Sequence, residues 1–171
     1  MFPFSRPRRA RNAEGIGAVG AGSGAFRVGE VLRITCASAQ ARVARVSETH
    51  FMPAWPWGEA DQTSTRVRWD GTFAFPRDPD HPEWRNTPWR IEMSDLRGLN
   101  VGDVCTVGIP PSRVRVQSLR SHQPPADFGR LPRPEVTLNV VFLGDERRPN
   151  AGFSLHLPSA EPLRIEHEDA P

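Results

Sequence analysis

Aromatic side chains grouped in two proline-containing segments are the strongest candidate for a functional site. Trp55 and Trp57 end the segment Phe51-Met-Pro-Ala-Trp-Pro-Trp57, and Trp84 and Trp89 bound the segment Trp84-Arg-Asn-Thr-Pro-Trp89. Because proline stiffens the backbone, large rings on such loops lose little entropy on binding. We expect Phe51, Trp55, Trp57, Trp84 and Trp89 to form a lip that binds a partner. The alternative is that the rings plug the ends of a barrel, since aromatic side chains dominate cores as well as interfaces.

A second group of polar residues combines types that bind hard metal ions. Four oxygen or nitrogen ligands fall within six positions, but two prolines interrupt them and their spacing matches no established metal motif. The four residues are Asp78, Asp80, His81 and Glu83. The sequence therefore predicts no metal site and no cofactor.

Catalytic patterns are weak throughout the chain. Five histidines and two cysteines form no recognisable pairing of nucleophile and base, although such a set can be distant in sequence. Gly15, Gly17 and Gly20 spell G-x-G-x-x-G, but a dinucleotide site needs a strand before this motif and a helix after it. Arginines and a proline precede the motif, and a strand-like segment follows it, so we assign no dinucleotide site and no catalytic residue.

The hydrophobic pattern has a period of two, which is typical of strands. Apolar residues alternate from Phe26 to Cys36 and include Val28, and we interpret Ala41–Val46 as a second strand rather than a helix. Pro110-Pro111 is expected to end a strand. Further segments with strand-like patterns are 63–69, 72–75, 89–93, 104–109, 113–119, 136–143, 152–157 and 163–165. Together, and with almost no helical period, these segments predict an all-β antiparallel barrel or sandwich of about eight to nine short strands.

The segment around Asp70-Gly71 predicts a hairpin whose register stays open. A two-residue loop pairs Trp69 with Thr72 and places Phe73 on the face of Arg68. A three-residue loop instead brings Trp69 and Phe73 together and makes a one-sided core. The sequence alone does not choose between the two.

Composition divides the chain into a single domain with tails. Residues 1–24 predict a flexible, disordered Arg/Gly-rich tail, because they have too little apolar bulk to offset chain entropy. Residues 25–166 predict one β-barrel or sandwich domain with a Pro/Trp-rich insertion at 47–93. Residues 167–171 predict a C-terminal tail.

The basic charge of the chain lies in its first segment. All 22 basic residues are arginine, and the pI is near 9.0. The remainder of the chain holds slightly more acidic than basic residues, so net charge gives no polyanion-binding face on the domain. We expect only a weak, salt-sensitive contact with polyanions, made through Arg6, Arg8, Arg9 and Arg11.

Cys36 and Cys105 fall in two predicted core strands, a spacing superficially similar to an immunoglobulin domain. That fold keeps a tyrosine two positions before its second cysteine, where this chain has Asp103, and it needs a tryptophan closer to the first cysteine than Trp55. The N-terminus lacks the apolar stretch of a signal peptide, and no run suits a membrane span. We therefore expect two buried free thiols and a cytoplasmic location.

Three segments resemble the second β-barrel domain of translation elongation factors of the Tu and selenocysteine-specific type. They are RGLNVGDVCTV at 97–107, SRVRVQSLRSH at 112–122, and the opening strand at 26–35, together about 35 of the 171 residues. The resemblance implies a small barrel. The chain departs from it in the insertion at 47–93 and in Cys36-Ala-Ser-Ala-Gln40, which replaces a glycine-rich loop. A phosphate-binding G-x-x-x-x-G-K-[ST] motif is missing from the sequence, so the resemblance brings no GTPase chemistry.

These observations favour a small cytosolic, non-enzymatic β-barrel module. It would recognise a protein or nucleic-acid partner through its aromatic loops. The alternative is a small β-barrel enzyme of the cyclase or isomerase type, or a carrier, with an apolar cavity lined by Trp and Phe.

Overall fold

The computed structural model describes residues 25–57, 74–122, 135–159 and 161–168 of the chain. Over these residues the protein is all-β and antiparallel, which confirms the predicted fold class. The strands are β1 (Val31–Val46), β2 (His50–Pro53), β3 (Phe75–Pro76), β4 (Arg90–Glu92), β5 (Val104–Ser121), β6 (Val136–Phe142), β7 (Phe153–Leu157) and β8 (Leu163–His167). One short 3-10 helix spans Pro82–Asn86. The described residues contain no helix long and apolar enough to cross a membrane.

The eight strands form one curled sheet with the shape of a half-barrel. The main order is β3-β2-β1-β5-β6-β7, while β4 pairs with β5 and β8 pairs with β1. β1 and β5, with 16 and 18 residues, are the central pair. Each is long enough to belong to two halves of the sheet: β8, β6 and β7 flank one half, and β2, β3 and β4 flank the other.

The first strand changes its buried face part-way along. Leu32, Ile34 and Cys36 are buried at even positions, whereas Ala41 and Val43 are buried at odd positions. Register shifts between Ile34 and Ala39 account for the change, since each irregularity moves the alternation by a residue. The two predicted strands in this region are therefore one continuous strand. The predicted start of this strand, at Phe26, was wrong, because Val28 precedes β1 and is 63% exposed.

Pro110-Pro111 does not end a strand, contrary to the sequence prediction. β5 runs through both prolines, which lie on the surface at a register shift where Cys36 pairs with Ile109 and Ile34 pairs with Ser112. On the other side, β4 reaches only to Gly108 and β6 begins its pairing at Val114. Proline is tolerated here because the missing N–H donors fall at a bulge in the pairing with β1 and, among the described strands, between the parts of β5 that pair with β4 and β6.

The core divides into clusters that follow the two halves of the sheet. The largest lies inside β1, β5, β6 and β7 and includes Leu32, Ile34 and Leu138, all fully buried. A second contains Val43, Phe51, Phe75 and Leu99, and a third contains Ala41, Cys105 and Val107. The sheet therefore places its aromatic loops where separate cores meet.

β2 was not predicted, β3 overlaps the end of the strand predicted at 72–75, and two predicted features lie outside the described residues. β2 and β3 pair through Phe51 and Phe75 within the segment interpreted as an insertion. The predicted strand at 63–69 and the hairpin at Asp70-Gly71 fall in residues that the structure does not describe.

An ion pair beside β8 predicts acid-sensitive stability. Arg113 donates to both oxygens of Glu168 at 2.8 and 3.0 Å, which lowers the pKa of that carboxyl below its ordinary value of 4.5. A lowered folded-state pKa contributes stability above the unfolded-state pKa, and this contribution is lost as pH falls through the folded-state value. We expect Glu168→Gln to be less stable than the parent at pH 7 and equally stable near pH 2 by urea unfolding. Glu48→Gln, at an exposed position without an ion pair among the described residues, is the matched control and should show no such convergence.

Candidate functional site

Three tryptophans meet between the two halves of the sheet. The ring centroid of Trp55 lies 4.7 Å from that of Trp89 and 5.5 Å from that of Trp57, and Trp57 lies 5.5 Å from Trp89. The two Trp55 contacts are edge-on, a geometry that aromatic quadrupoles favour. We call Trp55, Trp57 and Trp89 the tryptophan trio. Trp89 packs against all three core clusters.

Further rings extend the trio along β3 and the 3-10 helix. Phe75 stacks between Trp55, at 6.4 Å, and Trp84, at 5.5 Å. The indole N–H of Trp84 donates to the carbonyl of Asp78 at 2.9 Å, which holds the ring within its own loop. The segments 51–57 and 84–89 are thus brought together, as the binding-lip hypothesis requires.

A nearly buried carboxylate orients Trp55. The indole N–H of Trp55 donates to Oε1 of Glu161 at 2.8 Å, and the Ser159 hydroxyl donates to Oε2 at 2.6 Å. Glu161 is only 9% exposed, so these hydrogen bonds form where water competes weakly. Glu161 connects the turn before β8 to the trio and fixes the plane of the Trp55 ring.

The structure separates the five predicted lip residues into two groups. Phe51 is only 1% exposed and packs on Phe75 at 6.0 Å, so it belongs to the core rather than to an accessible surface. The other four are half-buried, a position between an exposed lip and an internal plug. These four are Trp55, Trp57, Trp84 and Trp89. The tail residues Arg6, Arg8, Arg9 and Arg11 lie outside the described residues.

Trp57 and Trp89 combine a large ring with an available hydrogen-bond donor. Neither indole N–H makes a hydrogen bond to another part of the chain that the structure describes, whereas those of Trp55 and Trp84 do. An apolar ring with a free donor at its rim can cover an apolar group and bond a neighbouring carbonyl. This arrangement suits the recognition of a folded or extended peptide.

The acidic and histidine residues near Trp84 have structural partners. His81 Nδ1 accepts a hydrogen bond from the backbone N–H of Glu83 at 3.3 Å and so caps the 3-10 helix. His50 Nε2 lies 3.3 Å from Glu83 Oε2. Within the described ranges, no set of three or more His, Cys, Asp or Glu is arranged to hold a metal ion. These contacts fix the loop that carries Trp84.

The two cysteines are buried and free, in the adjacent strands β1 and β5. Burial, together with a smaller contribution from the nearby Glu161 carboxylate that repels the thiolate, raises the pKa of the Cys36 thiol to about 11. Burial also raises the pKa of Cys105. Since the thiolate is the reactive form, neither side chain is suited to act as a nucleophile at neutral pH.

These pKa shifts predict slow thiol chemistry in the folded protein. With a disulfide reagent at pH 8, we expect almost no reaction before denaturation and two reactive thiols per chain after it. The absorbance of the chromophore that the reagent releases measures the number of reactive thiols before and after denaturation. Rapid reaction of one thiol in the native state would show that its strand opens or that its burial is incomplete.

Two members of the site had little signal in the sequence. Phe75 was placed in a hairpin, and nothing in the local pattern connected Glu161 to a tryptophan 106 positions away. The charge and proline around Glu161 resemble an ordinary surface turn. Only the pairing of β8 with β1 brings it to the trio.

Comparison with known proteins gives no relative: the chain matches no protein-family model, and searches of curated proteins and of solved structures returned no match.

Proposed function

We propose that this protein is a small cytosolic, non-enzymatic β-barrel module that binds a protein partner through the tryptophan trio and Trp84. The observation that carries the proposal is the mutual packing of three half-buried indoles, two of which have N–H donors that bond to no described residue. Rings fixed in advance lose little entropy on binding, and tryptophan is enriched among the residues that dominate binding energy.

Charge favours a protein over a nucleic acid at this site. The described ranges hold equal numbers of arginine and acidic residues, and the charged group bonded to the trio is the Glu161 carboxylate. Phosphate backbones need a surplus of positive charge, because their binding depends on counterion release. An uncharged, partly apolar peptide surface suits the trio better.

The resemblance to the second barrel of Tu-type elongation factors is consistent with a binding role. The resemblance brings no GTPase chemistry, because the sequence lacks a G-x-x-x-x-G-K-[ST] motif. The buried free thiols at Cys36 and Cys105 suit a reducing compartment such as the cytosol.

Affinity capture from cell extract with Trp57→Ala tests the proposal. Trp57 is half-buried, so the variant should keep its fold while losing at least about 10-fold of the captured partner, the effect expected of an interface anchor. Val101→Ala is the control, because Val101 is 65% exposed and is not part of the trio. Bound proteins are quantified by mass spectrometry for both variants. Equal capture by all three proteins, or capture of nothing by the parent, contradicts the proposal.

The N-terminal arginines should contribute separately and weakly. Deleting residues 1–24 should leave the melting temperature almost unchanged, and it should reduce retention on a polyanion column at low salt, because four arginines are removed. A large loss of stability on deletion would show that the segment is part of the fold.

A further inference from the structure

Among the strands that the structure describes, β8 is paired along one side only. It bonds to β1, and no other described strand pairs with its opposite side. The backbone N–H of Glu168 donates to Val31 O at 3.1 Å, so the peptide groups of 168 face β1. Peptide groups alternate in an antiparallel ladder, and those of Arg164 and Glu166 therefore face β1 as well. The N–H and C=O groups of Ile165 and His167, and the C=O of Leu163, point to the open side.

The apolar face of the sheet stops at this edge. Ile165 pairs with Ile34 on β1 and shares its inward face. Ile34 is fully buried, whereas Ile165 and Leu163 are only partly buried. A further strand beside β8 would cover both side chains.

The outward face of β8 carries two charges of opposite sign. Arg164 and Glu166 are exposed and flank Ile165 symmetrically. Neither forms an ion pair within the described part of the chain, unlike the neighbouring Glu168, which pairs with Arg113 and Arg33. Charged residues often protect an edge strand from pairing, but opposite charges placed directly across a strand pair stabilise it, whereas like charges destabilise it.

We propose that β8 of a second copy of this chain pairs antiparallel with this edge, centred on Ile165. A two-fold axis at Ile165 exchanges hydrogen bonds between the two Ile165 peptide groups and joins each His167 N–H to Leu163 C=O of the second copy. The same axis places Arg164 opposite Glu166 of the second copy, twice. The two half-barrels then share one continuous sheet.

The charges select this register over its neighbours. A shift of two residues in either direction places Arg164 opposite Arg164 or Glu166 opposite Glu166, and a parallel in-register arrangement does both. Directly opposed like charges destabilise a strand pair, while opposite charges stabilise it. β8 of a second copy is thus a strand whose sequence is complementary to this edge in charge and in apolar pattern.

Sedimentation equilibrium over a range of concentrations tests the proposal on the full chain. The parent should change from 19.1 kDa to twice that mass as concentration rises. Arg164→Glu and Glu166→Arg should each weaken the dimer at least about 10-fold, because each converts two attractive contacts into repulsive ones. The double variant R164E/E166R restores opposite charges at both contacts, so its dissociation constant should return to within about threefold of the parent. Melting curves confirm that all variants are folded.

Amide hydrogen exchange locates the interface independently. The amides of Ile165 and His167 should be protected only at concentrations where the dimer forms, while that of Glu166, bonded to β1, should be protected throughout. A parent that stays at 19.1 kDa up to about 1 mM overturns the proposal. So does a dimer that both single variants leave unchanged, or an assembly larger than two. Partner capture through Trp57 is measured on the monomer and can succeed or fail separately.

Discussion

Phe51→Ala should remove about 3–5 kcal/mol of the free energy of unfolding, the cost expected for truncating a fully buried aromatic ring. Phe51 is 1% exposed, lies in β2, and packs on Phe75, which in turn stacks on Trp55 and Trp84. Removal of the Phe51 ring would leave a cavity beneath the aromatic site. Thermal and urea unfolding, followed by tryptophan fluorescence, measure the loss.

Trp57→Ala is the informative comparison, because sequence reasoning placed both residues in one binding lip. Trp57 is half-buried, so its truncation should cost about 1 kcal/mol, near the average for single substitutions. A loss for Trp57→Ala as large as that for Phe51→Ala would assign the trio to the core and would remove the basis of the proposed binding site.

The all-β class and the identity of most strands could be predicted, because alternation of apolar side chains is a local property. Leu32, Ile34 and Cys36 are buried as the period of two indicates. The alternation cannot show where a strand bends. The change of buried face between Cys36 and Ala41 depends on bulges set by the pairing with β5.

Proline was misleading at one position because its effect depends on neighbouring strands. Pro110-Pro111 lacks two donors, which would break a strand enclosed on both sides. In this sheet β4 and β6 pair with separate parts of β5 and leave the two prolines between them. Topology, which the local sequence does not contain, decides the outcome.

The candidate site was predicted in part. Residue types and prolines identified the tryptophans, but they did not separate Phe51 from the rest, since a four-residue strand such as β2 has too short a pattern to recognise. Glu161 could not be assigned to the site from the sequence for another reason: its hydrogen bond to Trp55 joins residues far apart in the chain. Long-range partners of this kind follow from the fold and not from spacing.

Gly108→Ala should destabilise the protein by at least about 2 kcal/mol, because a methyl group has no space at this position. A Cβ on Gly108 would lie 2.5 Å from Ser38 Oγ and 2.9 Å from the Ser38 Cα. The second contact is with backbone, so rotation of a side chain cannot relieve it. β1 would have to move away from β5 at the place where its register shifts.

We expect the displacement caused by Gly108→Ala to change the packing of the tryptophan trio. Gly108 pairs with Arg90, the residue after Trp89, so displacement at the bend moves the strand that positions this ring. We expect a lower melting temperature together with a shift in tryptophan emission. Gly144→Ala is the control: its φ is +99° and its Cβ would meet open space, so it tests backbone strain alone, at about 1 kcal/mol. If Gly108→Ala cost no more than this control and left the emission unchanged, the close approach of β1 and β5 would not be what holds Trp89 in place.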